Sequence, residues 1–142
     1  MNAFLLAVAA SLAAAAPKQL GAFGPGEAGT CGKKPNCVST LDERKGRRAE
    51  PWTYAGSREE AQKRLEQLIA RASRADVVDF RPGYLHAEFR TALWRFVDDV
   101  EFFLPKGENV IHYRSASRLG QSDFGVNRRR MKKLAKRFAA AP

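Results

Sequence analysis

The sequence lacks the short signatures that usually announce an enzyme. It has no GxSxG nucleophile elbow, no phosphate-binding loop and no dinucleotide fingerprint, which removes the sequence grounds for those chemistries. Cysteine and histidine are scarce, with two of each. Cys31 and Cys37 have no second Cys or His pair nearby to complete a tetrahedral zinc set. No apolar run is long: residues 3–16, AFLLAVAASLAAAA, number 14, short of the roughly 20 that cross a bilayer as a helix. Acidic side chains are outnumbered, 15 Asp and Glu against 25 Lys and Arg, for a formal charge of +10. Such a balance favours polyanionic surroundings.

At 142 residues the chain has room for one domain with a core of its own. The sharpest boundary in composition follows residue 16, where an uncharged apolar stretch gives way to polar, basic sequence. That stretch fits the apolar region of a secretory signal with small residues at its end. We expect cleavage after Ala15, a periplasmic or secreted product, and as the alternative an uncleaved anchor. The start departs from the usual pattern, since only Met1 and Asn2 precede the apolar run and neither is basic. Residues 1–15 carry no ionisable side chain, so the charge of +10 survives their removal.

Residues 16–56 read as a Gly- and Pro-rich surface arm, with basic Arg44, Lys45, Arg47 and Arg48 as a solvated patch. In an exported chain, Cys31 and Cys37 of CGKKPNC are expected to form a disulfide across a turn at Pro35 and Asn36. Residues 57–139 form the expected folded domain. Ser57 and Glu60 match a capping box, and Ala61, Leu65, Leu68, Ile69 and Ala72 make one apolar stripe behind it. Period-two alternation then marks strands at 76–80, 84–91, 97–104 and 110–118, separated by short turns. A final helix is expected from Ser122 or Asp123, with Phe124, Met131, Leu134, Ala135 and Phe138 as its apolar stripe. The fold class is therefore α+β: a two-layer sandwich in which an antiparallel sheet of about four strands packs an N-terminal and a C-terminal helix on one face.

The alternation sends His86, Glu88, Arg90, Asp99, Glu101, His112 and Arg114 to the other face, expected to be left to water or to a ligand. Three readings stay open there. Cross-strand ion pairs keep a solvated sheet soluble, or Arg90, Arg114 and Arg118 act as bidentate donors to a polar or anionic ligand with the carboxylates orienting them. A third reading makes His86 or His112 a general base beside Asp99 or Glu101 in an envelope hydrolase. Ser115 and Ser117 read as hydrogen-bonding residues at a strand end rather than nucleophiles. A metal is disfavoured because the interleaved arginines repel a cation, and no cofactor is expected.

From Arg128 to Arg137 seven of ten residues are basic. A helix so charged suits an anionic lipid, an envelope polymer or a small polar anion, and permits peripheral membrane contact. Nucleic acid is the less favoured partner, since no base-stacking motif accompanies the charge and an exported chain would not meet it.

The run PNCVS at 35–39, followed in order by YLHAEFRT, FVDDVEF, RSASRLG and SDFGVNRRR, resembles the family catalogued as domain of unknown function 1499. The resemblance covers residues 31 to about 138. It implies a small α+β domain, an extracytoplasmic setting in many members, and no established activity. By that resemblance the positions of interest are Asn36, Cys37, His86, Glu88, Asp98, Asp99, Glu101, Arg114, Ser115, Ser117, Arg118, Asp123, Asn127 and Arg128.

Overall fold

A computed structural model describes residues 29–141; the expected signal segment, residues 1–15, and the first part of the arm lie outside them. The described chain is α+β. Six antiparallel strands, β1 (Cys37–Ser39), β2 (Trp52–Thr53), β3 (Ala75–Arg81), β4 (Tyr84–Arg90), β5 (Val97–Phe103) and β6 (Val110–Ser117), are joined by two helices, α1 (Arg58–Ala70) and α2 (Val126–Ala140). The order across the sheet is β1, β6, β5, β4, β3, with β2 also on β6.

The sheet has two strands more than expected, and both come from the supposed surface arm. β1 pairs with residues 114–116 of β6 and β2 with residues 110–111. At three and two residues they are too short to show a period of two, and β1 is buried throughout. Burial rather than alternation places them: Val38, Trp52 and Tyr54 belong to the main core. Trp52 packs its ring within 5.7 Å of the Phe102, Tyr113 and Phe138 rings. The sulfurs of Cys31 and Cys37 stand at bonding distance, 2.07 Å.

α1 begins where the capping box puts it, with Ser57 Oγ accepting from the Glu60 amide and the Glu60 carboxylate accepting from the Ser57 amide. Ala61, Leu65 and Ile69 face the core, with Leu68 and Ala72 packed beside it. One turn along, the side chain of Gln62 is buried for a different reason. It donates to the carbonyls of Arg81 and Tyr84 and accepts from the Gly83 amide, so α1 clamps the β3–β4 turn. Gly83 has φ +79, and a Cβ there would lie 3.0 Å from the Leu104 carbonyl oxygen, so only glycine fits.

α2 starts at Val126, later than expected. Phe124 and Gly125 both adopt left-handed backbone, φ +51 and +77, and the turn throws Phe124 outward at 85% exposure. Phe124 therefore leaves the expected stripe, while Met131, Leu134 and Phe138 remain in the core and Ala135 packs against it. Asp123 still caps the helix from upstream, its carboxylate accepting from the amides of Gly125 and Asn127. Both helices cover the sheet face carrying Leu85, Ala87, Val100, Phe102, Ile111 and Tyr113, and one apolar cluster joins all three elements. No helix among the described residues is long and apolar enough to cross a membrane.

Candidate functional site

Strand register decides which charged groups meet. His86 lies opposite Glu101 and Glu101 opposite Arg114; Glu88 lies opposite Asp99 and Asp99 opposite Ala116. These residues share the face turned away from the helices, as the alternation requires. That face is nevertheless not open. His86, Asp99, Glu101 and Arg114 are all buried, with Asp99 and Glu101 at 1% exposure, which corrects the expectation of a wet sheet surface. Part of the cover comes from residues 30–37 of the arm. The Cys31–Cys37 pair packs on Ala116, and the Thr30 carbonyl accepts from Arg114 Nε at 3.0 Å.

The buried charges satisfy one another in a chain of contacts. Arg118 donates through Nε to Asp99 Oδ2 at 2.7 Å and through Nη2 to Asp99 Oδ1 at 2.7 Å and Glu88 Oε1 at 2.5 Å. Glu88 also accepts from Arg90, which reaches Asp76 at 2.7 Å. His86 Nε2 lies 2.8 Å from Asp99 Oδ1. Burial pushes the Asp99 carboxyl up, but hydrogen bonds from Arg118 and His86 outweigh it and hold the pKa below the ordinary carboxylate range. Asp99 is therefore ionised and can only accept, so the proton between the two belongs to His86 Nε2. The same Asp99 contacts raise the Arg118 pKa above its usual value, against the opposing effect of burial. Beside this chain Tyr84 donates to Glu101 at 2.6 Å and Arg114 lies 3.5 Å from the same carboxylate.

Four expected site residues stand elsewhere. Ser115, Ser117, Asn127 and Asp123 form a second polar cluster on the helix side of the sheet, centred on Asn127, which is completely buried. Asn127 accepts from Ser115 Oγ at 2.6 Å and donates to Asp123, Ser117 and the Asn36 carbonyl. Asn36 in turn donates to the Gly120 carbonyl at 2.9 Å. Arg130 completes the cluster, donating to Asn127 and Asp98 with its guanidinium 4.9 Å above the Phe89 ring. Burial raises the Asp123 pKa, but bonds from Asn127 and the neighbouring amides lower it more.

The sheet separates residues that lie close in sequence. His86, Asp99, Arg118, Glu88 and Arg90 form one network with the Glu101–Arg114 pair beside it, and Ser115, Ser117, Asp123 and Asn127 another on the opposite face. Arg128 joins neither, donating to the carbonyls of Arg48 and Gly46. His112 shares the first face but bonds Thr40 Oγ1 at 3.0 Å rather than a carboxylate, and burial lowers its pKa. Among the described residues no group of three or more His, Cys, Asp or Glu is placed to hold a metal ion.

The basic helix expected at 128–137 borders a cleft that the sequence did not show. Between the end of α1, the end of β4 and the flank of α2 lies an open cleft of about 330 Å³, lined by Arg74, Phe89, Arg129, Arg130, Lys133 and Arg137 among others, with no carboxylate among the described residues that line it. The spacing of Arg129, Lys133 and Arg137, each four residues on, was its available signal. Arg74 joins only because β3 begins where α1 ends.

A helix-covered antiparallel sheet with two internal ion-pair and hydrogen-bond networks defines the class: a small α+β domain whose most distinctive polar residues are held by each other. The chain belongs to the family described as a protein of unknown function, DUF1499, whose model matches residues 27–138. No curated protein and no solved structure matches the chain significantly.

Proposed function

We propose that this chain is a non-catalytic binding domain for an anionic partner outside the cytosol, and that its contact surface is the cleft along α2 rather than the charged sheet face. The observation that carries the reading is the cleft's composition: among the described residues that line it, five cationic side chains and no acid. Arg130 is committed to Asp98, and Arg74 and Arg129 reach backbone carbonyls, which fixes their positions while leaving their charge uncompensated. Placing Arg128, Arg129 and Arg130 in the first turn of α2 also works against the helix dipole, a cost that Asp98 and Asp123 only partly offset. The sheet-face network serves as scaffold, since its arginines already hold carboxylates.

Titration of the full chain with inorganic polyphosphate tests this. We expect salt-sensitive binding that weakens roughly tenfold or more in the Lys133→Glu, Arg137→Glu double variant, as loss of several phosphate contacts implies. Binding unchanged by the double substitution, or absent in low salt, overturns the reading.

The contact between His86 and Asp99 favours a second reading, a hydrolase with His86 as base. Its nucleophile would not be Ser115 or Ser117, because both project from the opposite face of the sheet.

A further inference from the structure

Four large apolar side chains stand exposed at the end of the sheet where the basic cleft opens. Leu93, at 80% exposure, Trp94, at 64%, and Phe96 lie in the β4–β5 connection, and Phe124 lies in the β6–α2 connection. Both connections leave the same end: Val97, the first residue of β5, accepts from the Arg118 amide just after β6. Arg74 of the cleft pairs its carbonyl with the Arg90 amide, immediately before the first of these connections. Arg129 of the cleft donates to the Phe124 carbonyl at 2.7 Å.

These side chains are held outward by backbone structure. Thr91 closes the β4–β5 loop on itself: its amide donates to the Phe96 carbonyl, its carbonyl accepts from the Arg95 amide, and its Oγ1 accepts from the Phe96 amide. Arg95, with φ +54, forms the bend. Phe124 sits on the left-handed turn before α2. A preformed loop loses little conformational freedom on binding, so its apolar tip is available at low entropic cost.

Charge identifies the partner. Arg95 lies between Trp94 and Phe96, Arg74 and Arg129 of the cleft donate to the Arg90 and Phe124 carbonyls at these connections, and Lys133 and Arg137 continue the cleft along α2. The nearby acids are engaged: Asp76 and Glu88 by Arg90, and Asp123 by Asn127 and two amides. Exposed Trp, Leu and Phe beside uncompensated Arg and Lys is the composition that seats in a membrane interface, with rings at the headgroup boundary and cations on anionic lipid. A soluble polyanion would use the cations and leave the apolar tips in water.

We propose that this end of the molecule docks on an anionic lipid surface, with Leu93, Trp94, Phe96 and Phe124 inserted at the interface and the basic cleft on the headgroups. The proposal rests on the anion-binding reading and names its partner.

The chain carries its own reporter, because of its two tryptophans Trp52 is buried at 8% exposure and Trp94 is exposed. The full chain is mixed with vesicles of phosphatidylcholine alone, or of phosphatidylcholine with phosphatidylglycerol, carrying brominated acyl chains. The apolar segment 3–16 contains no tryptophan and is common to every variant. The expected result is a blue shift and quenching with the phosphatidylglycerol vesicles, both abolished in Trp94→Phe. Measured by co-sedimentation, the Leu93→Ser, Trp94→Ser variant should bind those vesicles roughly tenfold or more weakly, as the loss of two inserted apolar side chains implies. It should keep its circular dichroism and its affinity for polyphosphate.

Polyphosphate binding without vesicle binding overturns the membrane proposal and leaves the anion-binding reading standing, as does preferential binding of nucleic acid through the cleft. Vesicle binding with no change at Trp94 overturns insertion in the same way. Failure to bind either vesicles or polyphosphate overturns both.

Discussion

Asp98 and Asp99 are neighbours in β5, each 1% exposed, yet they serve opposite faces of the sheet. Asp98 takes Arg130 on the helix side, and Asp99 takes Arg118 and His86 on the other. Two adjacent buried carboxylates are tolerated because each has its own guanidinium.

Removing one guanidinium exposes that dependence. Arg118→Met should destabilise the protein by ~3 kcal/mol, the usual consequence of leaving a buried charge without its partner. Arg90→Met should cost less than ~1 kcal/mol, since Asp76 is mostly exposed and the pair is solvent-screened. Urea denaturation of the two variants separates them; equal losses would contradict the account of Arg118 as the centre of the network.

Stability should fall in acid, with a sign set by the carboxylates. Asp42, Asp99 and Asp123 all have pKa values lowered in the fold, Asp42 chiefly by its hydrogen bond with Arg44. A lowered folded pKa means that the unfolded chain binds more protons, so the stabilisation is complete above the unfolded value of ~3.9 and disappears as pH falls through the folded values. His112 has the same sign, because burial disfavours its cation; its share is present above ~6.5 and declines below. Thermal melts from pH 7 to pH 2 should show a shallow decline followed by a steeper one. Asp99→Asn should flatten the steeper part.

Asn127→Asp changes little volume but inverts the second network. The side-chain nitrogen that donates to Asp123, Ser117 and the Asn36 carbonyl becomes an acceptor facing acceptors. A loss of ~3 kcal/mol is expected, in the range for a buried polar group left unsatisfied beside a like charge. Chemical denaturation measures it, and a loss below ~0.5 kcal/mol would contradict the central place assigned to Asn127.

Cys31→Ser with Cys37→Ser opens a loop with a sequence separation of 6. Loop entropy alone puts the cost near ~2 kcal/mol. Arg114 should then lose part of its cover, since the pair packs on Ala116 beside it. Faster amide exchange along residues 114–116, measured by mass spectrometry, is the expected local signature.

The regular elements are legible in the sequence where burial has a period. Leu85, Ala87 and Phe89, or Ala61, Leu65 and Ile69, repeat at the spacing of their element and face the core accordingly. β1 and β2 have no room for a period, and nothing local in Trp52 distinguishes a strand in the core from a loop on the surface. The membership of the first network follows from alternation, so His86, Glu88, Asp99, Glu101 and Arg114 do share a face. Its burial does not, because that depends on the packing of Cys31 on Ala116, 85 positions away. Ser115 and Ser117 do hydrogen-bond at the end of β6, but their partner Asn127 was not legible, because it comes from α2 on the helix side of the sheet.

The strand order has one consequence for self-association. Among the described residues the sheet has two edges, the three-residue β1, bridged to Arg48 at Ser39, and the longer, seven-residue β3. That edge is irregular between Val77 and Asp79, and it exposes Val78 and Phe80. A very short edge on one side and an irregular one on the other each offer an incoming strand a poor template. Strand addition is disfavoured at both ends of the sheet, so the fold limits fibre formation through its topology as well as through its charge.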